Sequence, residues 1–253
     1  MAFCDKVILV TGGSSGIGAA TAIKFCEEGA KVVIVGRNVN KLGKVALKCE
    51  KNKPYIIIAD ITKEKDVKPI IDQTIAQCGK LNVLVNCAGI VRLKSILSCD
   101  ALETFDLIMA INLRAIVHLT HLSAPHLIST KGCIVNISSA ASSSVLHKEN
   151  SAYSTSKAAL DHFTRSVAVE LATKGVRVNS VNPGPVKTDC LEDIVPDVDE
   201  QERQWKQLAA LTLLGKLGQP EEIADIILYL ASDKAKSITG SSFVIDNGIL
   251  LKH

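Results

Sequence analysis

Val10-Thr11-Gly12-Gly13-Ser14-Ser15-Gly16-Ile17-Gly18 joins an apolar run at 6–10 to a helix-like segment at 17–28. A glycine-rich turn between a strand and a helix is a place where a chain can hold a dinucleotide pyrophosphate. Gly12 permits a tight turn, Gly16 lets backbone approach the phosphates, and Gly18 lets the helix pack close to the sheet. The helix N-terminus then offers unpaired N–H groups and a partial positive charge. The spacing is GxxxGxG rather than the commoner GxGxxG, and by itself such a run is more often an ordinary turn.

The rest of the chain supplies the context. Short continuous runs rich in Val and Ile recur at 6–10, 31–35, 55–58, 83–85, 133–137, 176–181 and 242–245. Such runs read as strands buried on both faces. The segments between them are long enough for crossover helices. Those at 17–28 and 152–174 stop at Gly29 and Gly175, as helix C-termini commonly do, and a further long helix is predicted at 106–130. The expected fold is α/β: a doubly wound, Rossmann-type, seven-stranded parallel sheet with helices on both faces. One domain spans 1–253. Its one compositional break, at 189–202, is acidic and contains Pro196. It follows the sixth strand at the sheet edge where ligands bind, so a substrate lid is expected at about 189–215.

Composition excludes several classes. Hydrophobic residues make up 47% of the chain and charged residues 22%, which argues for a packed core rather than disorder. A net charge of +3 without a Lys/Arg run gives no reason to expect nucleic acid or an anionic membrane. The apolar stretches are strand-length, short of the roughly 20 residues of a membrane span. The first residues lack the basic and apolar regions of a signal peptide. Eight cysteines occur without a C-x-x-C pair, and the histidines do not complete a zinc set; His118 and His121 lack a third partner. No metal site is expected. Buried free thiols and a cytoplasmic, reducing location are.

The end of the second strand selects the nucleotide. An acid there would bond the adenosine ribose and repel a 2′-phosphate. This chain has Gly36-Arg37-Asn38, and Arg37 can pair with a 2′-phosphate through its planar fork. NADP(H) is favoured and NAD(H) is the alternative. Asp60 could accept from the adenine amino group or simply cap the next helix.

Tyr153-Ser154-Thr155-Ser156-Lys157 carries the chemistry. Positions i and i+4 share one helix face. A free phenol has a pKa of about 10, too high for efficient proton transfer near neutrality. A neighbouring ammonium stabilises the phenolate and brings that value down.

In order along the chain stand Thr11-Gly12-x-x-x-Gly16-x-Gly18, Asn86-Cys87-Ala88-Gly89, Asn112, Ser139, Tyr153-x-x-x-Lys157 and Pro183-Gly184, with Pro220-Glu221-Glu222 and Ile238-Thr239-Gly240 beyond. From about residue 6 to 248 the chain resembles the single-domain short-chain dehydrogenases/reductases. The resemblance implies an oxidoreductase with Asn112, Ser139, Tyr153 and Lys157 as its catalytic set. Ser139 would bond the substrate oxygen, Lys157 would also hold the nicotinamide ribose, and Asn112 would anchor a water. The implied cofactor contacts are Gly12, Ser14, Ser15, Gly16, Ile17, Gly18, Arg37, Asn38, Asp60, Ile61, Asn86, Ala88 and Gly89, together with Tyr153, Lys157, Pro183, Gly184, Val186 and Thr188. Gly89 would let the backbone pass the adenosine side, and Asn86 could bridge strands. Pro183, Val186 and Thr188 would grip the carboxamide. A homotetramer, or alternatively a dimer, follows from the same resemblance. The chain departs from the family in having Asp246-Asn247-Gly248 where two glycines are usual after the Asp. It is also about one residue longer between Ser139 and Tyr153, which leaves Ser138 as the alternative serine.

Each residue also has a plainer role: Ser139 as a cap, Asn112 as a helix-interior polar group, Tyr153 as packing. For the pocket, Val91, Leu93, residues 142–146, Leu191, Ile194, Val195 and Trp205 are mostly apolar. They favour an uncharged, hydrophobic alcohol or carbonyl. Other readings are a non-catalytic binding protein on the same fold and a lyase or dehalogenase reusing the tyrosine. Loss of the glycine turn or of Lys157 would mark these, and both features are present.

Overall fold

The computed structural model describes residues 2–50, 52–189, 195 and 197–252. Seven parallel strands form one sheet: β1 (Val7–Thr11), β2 (Lys31–Gly36), β3 (Tyr55–Ile58), β4 (Val83–Asn86), β5 (Cys133–Ile137), β6 (Arg177–Pro183) and β7 (Ser242–Ile245), in the order β3-β2-β1-β4-β5-β6-β7. The helices are α1 (Gly16–Glu27), α2 (Val39–Lys48), α3 (Glu64–Cys78), α4 (Ala101–Met109), α5 (Ala115–Thr130), α6 (Ser151–Ala172), α7 (Val198–Ala210) and α8 (Pro220–Ala231).

Alternate strand residues build two cores. Ile8, Val10, Ile34, Val85 and Val135 meet Phe25 of α1, Leu42 of α2 and Ile223 and Ile227 of α8. Leu9, Val33, Val35, Leu84 and Ile134 meet Ile70 of α3, Leu119 of α5 and Val167 of α6. β1, β4 and β5 are buried throughout, as expected. The edge strands are not: Ile58 and Val244 each leave about half their surface in water. The strand order reverses between β1 and β4, which opens a crevice at their carboxyl ends.

Two boundaries and one burial expectation differ from the sequence reading. The predicted helix at 106–130 begins earlier, at Ala101, and contains a π-helical turn at Ala110–Arg114. Ala101–Thr130 thus runs as 30 residues, long and apolar enough to cross a membrane by length and composition. Its Ile108, Ile116, Leu119 and Leu127 are fully enclosed in the fold. Part of the predicted lid is the regular helix α7, begun by Asp197 accepting from the Glu200 N–H. Of the seven cysteines in the described residues, only Cys26, Cys49 and Cys133 are buried, and Cys4 and Cys99 are exposed.

The C-terminal turn keeps its shape without a second glycine. Asn247 takes a left-handed φ of 51°, which Asn tolerates better than most side chains do.

Candidate active site

The glycine turn is held by backbone against backbone. Gly12 has φ +67°, and a Cβ on it would lie 2.8 Å from the Ala88 backbone. A Cβ on Gly18 would lie 2.2 Å from the Gly12 carbonyl oxygen, so the close packing Gly18 permits is onto the turn itself. The Thr11 hydroxyl accepts from the N–H groups of Cys87 and Ala88, tying the end of β1 to the end of β4. Gly16 lies under Thr188: a Cβ on it would be 3.0 Å from the threonine methyl.

Among the described residues, the first N–H groups of α1 have no capping side chain and no acid in the first turn beside them. Ser14 and Ser15 are half-buried beside them, and Ile17 packs on the core. A tight glycine cradle and an uncapped helix start suit a pyrophosphate.

At the end of β2, Arg37 is exposed. Asn38 caps α2 by accepting from the Lys41 N–H. A Cβ on Gly36 would meet Ser14 at 3.4 Å. Asp60 does not cap α3, whose capping position is Lys63. It accepts instead from the hydroxyl and N–H of Thr62. Burial alone would raise its pKa, but the Thr62 bonds and the charges of Arg37 and Lys63 outweigh that and hold it below the ordinary value. Ile61 is buried in the second core.

Asn86 is fully buried and donates to Asn136 at 2.8 Å, bridging β4 and β5. Asn136 in turn donates to Thr164 of α6.

The π-helical turn places Asn112 across from the loop after β4. Its Oδ1 accepts from the Ile90 N–H, and its Nδ2 donates to the Ile90 carbonyl, both at 2.9 Å; Nδ2 also reaches Ser156 of α6. Irregular turns of this kind gather at functional sites. A Cβ on Gly89 would stand 3.3 Å from Asn112 Oδ1 and 3.4 Å from Lys157 Nζ. The missing side chain at Gly89 thus leaves room beside Asn112 and Lys157.

Lys157 is 4% exposed. Its Nζ lies 5.7 Å from the centre of the Tyr153 ring and donates to the Ile137 carbonyl at 2.8 Å. Burial pushes its pKa from the ordinary lysine value down to about 8, against the opposing pull of Cys87 and Asp161. Burial also pushes the Cys87 thiol up to about 12.

The two serines at the end of β5 point differently. The Ser138 hydroxyl donates to the Lys157 backbone carbonyl. The Ser139 hydroxyl accepts from the Ala141 N–H, which leaves its own proton to offer elsewhere. Gly184, just past the end of β6, approaches Asp246 so closely that a Cβ would sit 2.7 Å from its Cα. Val186 is buried and pairs with Gly218.

On the substrate side, Val91 is half-buried and Leu93 exposed. Leu191 and Ile194 lie outside the described residues. Trp205 is buried and lines a surface cavity of about 330 Å³ with Lys187, Glu202 and Lys216. The sequence reading missed Ile96 and Leu97, which lie on the loop after β4 with 74% and 91% of their surface exposed. Their bare exposure is the signal, and it exists only in three dimensions.

Known proteins resemble the chain over nearly its whole length. A family model described as enoyl-(acyl carrier protein) reductase matches residues 12–250. The 3-oxoacyl-(acyl-carrier-protein) reductase FabG of Thermotoga maritima is 33% identical over 251 residues, covering 97% of this chain and 98% of its own. A cyclopentanol dehydrogenase of Comamonas testosteroni is 36% identical over 248 residues, with 96% of each chain covered. The crystal structure of a short-chain dehydrogenase/reductase of unknown function from Caenorhabditis elegans, solved with cofactor, superposes with a TM-score of 0.94 at 34% identity. It covers 100% of this chain and 98% of that one. The chain belongs to the short-chain dehydrogenase/reductase family, oxidoreductases that work with NAD(H) or NADP(H).

Proposed function

We propose that this protein interconverts a hydrophobic secondary alcohol and its ketone, or an aldehyde and its alcohol, with NADP(H). The observation that carries the reading is the gathering of Tyr153, Lys157, Asn112 and Gly89 at one end of the crevice whose other end is the glycine turn. The nucleotide, when bound, supplies or accepts the hydride. In reduction, Tyr153 gives its proton to the carbonyl oxygen while Ser139 donates a hydrogen bond to the same oxygen. The Lys157 ammonium lowers the phenol pKa and so readies Tyr153 for transfer. With its side chain engaged by Ile90 and Ser156, Asn112 would hold the water by its backbone carbonyl.

Arg37 at the end of β2, without an acid beside it at Gly36, supports NADP(H) over NAD(H). The exposed apolar side chains of Leu93, Ile96, Leu97 and Val145 support an uncharged substrate, and the residues from 189 to 215 serve as its lid. Exposed Leu102 on α4 and Val169 on α6 fit an assembly of copies, a tetramer or else a dimer. Sizing by light scattering tests this, and a monomer would sink it.

The deciding experiment pairs NADPH and NADH fluorescence titrations with turnover of a panel of cyclic and aliphatic ketones. Tyr153→Phe should bind NADPH normally and lose about a thousandfold in kcat. Binding of neither nucleotide would overturn the enzyme reading.

A further inference from the structure

We propose that Asp161 is a positioning residue for the acid–base pair: its buried carboxylate sets a negative charge one helical turn from Lys157 and, through Asn182, fixes the turn that carries Ser139. Tyr153, Lys157 and Asp161 stand at i, i+4 and i+8 on α6, so they share a face. Asp161 is 7% exposed. Its Oδ1 accepts from the Ser180 hydroxyl at 3.0 Å and its Oδ2 from Asn182 Nδ2 at 2.7 Å. Ser180 has one proton, with the carboxylate, Asn182 Oδ1 and the Ser242 hydroxyl all near it; the charged acceptor wins it. Asn182 has two N–H groups. The shorter bond goes to Asp161, and the second is shared between the Ser142 hydroxyl at 3.0 Å and the Ser139 carbonyl at 3.3 Å.

Two buried strand residues therefore orient the carboxylate, and one of them reaches on to the turn that carries the candidate serine. A carboxylate this enclosed needs donors and a nearby positive charge to offset its lost hydration. Among the described residues, the titratable groups around Lys157 are Tyr153 and Asp161 on its own helix and Cys87 from the loop after β4. β5 offers it only the neutral Ile137 carbonyl and the π-helical turn only neutral Asn112. β6 faces Asp161 with uncharged Ser180 and Asn182. Asp161 is thus the one carboxylate acting on the lysine.

The proposal rests on Tyr153 and Lys157 being the acid–base pair, but its test needs neither substrate nor nucleotide. Lysine side chains are labelled with carbon-13 in the full chain, and Lys157 is assigned from the Lys157→Arg spectrum. Its titration midpoint is then read by NMR. Removing a nearby anion makes an ammonium easier to deprotonate, so Asp161→Asn should lower the midpoint by about one pH unit. Ser180→Ala keeps the carboxylate; it should lower the melting temperature while leaving the midpoint within about 0.3 units. If Asp161→Asn does not fold, Asp161→Ser is read in its place. An unchanged midpoint without the carboxylate, or an equal shift in Ser180→Ala, overturns the proposal. A normal shift in a protein that turns over no ketone would instead strike at the proposed activity.

Discussion

The two sides of the crevice are built by different means. Around the glycine turn, backbone lies on backbone, and added carbons would meet main-chain atoms at 2.2 and 2.8 Å. On the substrate side, the loops after β4 and β5 hold Leu97 and Val145 out in water, 91% and 81% exposed. The first side admits no extra atom. The second can change residue by residue without disturbing a packed neighbour. The nucleotide end is therefore fixed by the fold, and the substrate end is left for side chains to define.

The sharpest way to break this contrast is Gly18→Ala. Its Cβ has nowhere to go, because the obstacle is a carbonyl oxygen and not a pliable side chain. Nucleotide binding should disappear, and urea unfolding should show a loss of about 3 kcal/mol. Wild-type behaviour would mean the turn is looser than its distances.

A second test lies where the two sides meet. Lys157 is held near 8 by burial. Below that pH it is an ammonium beside Tyr153; above it, the phenolate loses its counter-charge. kcat/KM should fall about tenfold per pH unit above about 8. Stability has the opposite sign. An unfolded lysine keeps its proton to about 10.4, so between the two values the unfolded chain holds more protons. Through that window this group's contribution to stability rises with pH. A flat rate profile to pH 10 would remove Lys157 from the mechanism.

Arg37→Ala should weaken NADPH by about tenfold and leave NADH unchanged in fluorescence titrations. Equal loss for both nucleotides would mean Arg37 does not read the 2′-phosphate. The smallest effect is expected at Leu97→Ser: a stability change below about 0.5 kcal/mol, with KM for a cyclic ketone rising about fivefold. A large stability loss there would erase the contrast between the two sides.

What the sequence made legible follows the same division. Glycines announce close backbone approach, so the turn at Gly12–Gly18 could be read before any coordinates. Continuous Val/Ile runs placed the strands within one or two residues, because strands inside a parallel sheet carry apolar side chains on both faces. The π-helical turn was not legible. It comes from Asn112 reaching Ile90, a contact between residues 22 apart that leaves no periodicity behind. The burial of Trp205 beside a surface cavity was not legible either, since the course of α7 decides where its side chain points. The exposure of Ile96 and Leu97 was equally hidden, because composition cannot tell a rim residue from a core one.

Arg37 follows β2, whereas the Lys157 ammonium bonds to the end of β5. β1 and β4 lie between those strands, which sets them about 14 Å apart at ordinary strand spacing. Substitutions separated by more than about 10 Å without shared partners usually act additively. Nucleotide preference and proton transfer are therefore separately adjustable modules of one rigid frame. A designer could exchange the residues at 36 and 37 to change the electron source, then retune the rim at 96 and 97 for a new ketone. The gains should multiply rather than interfere.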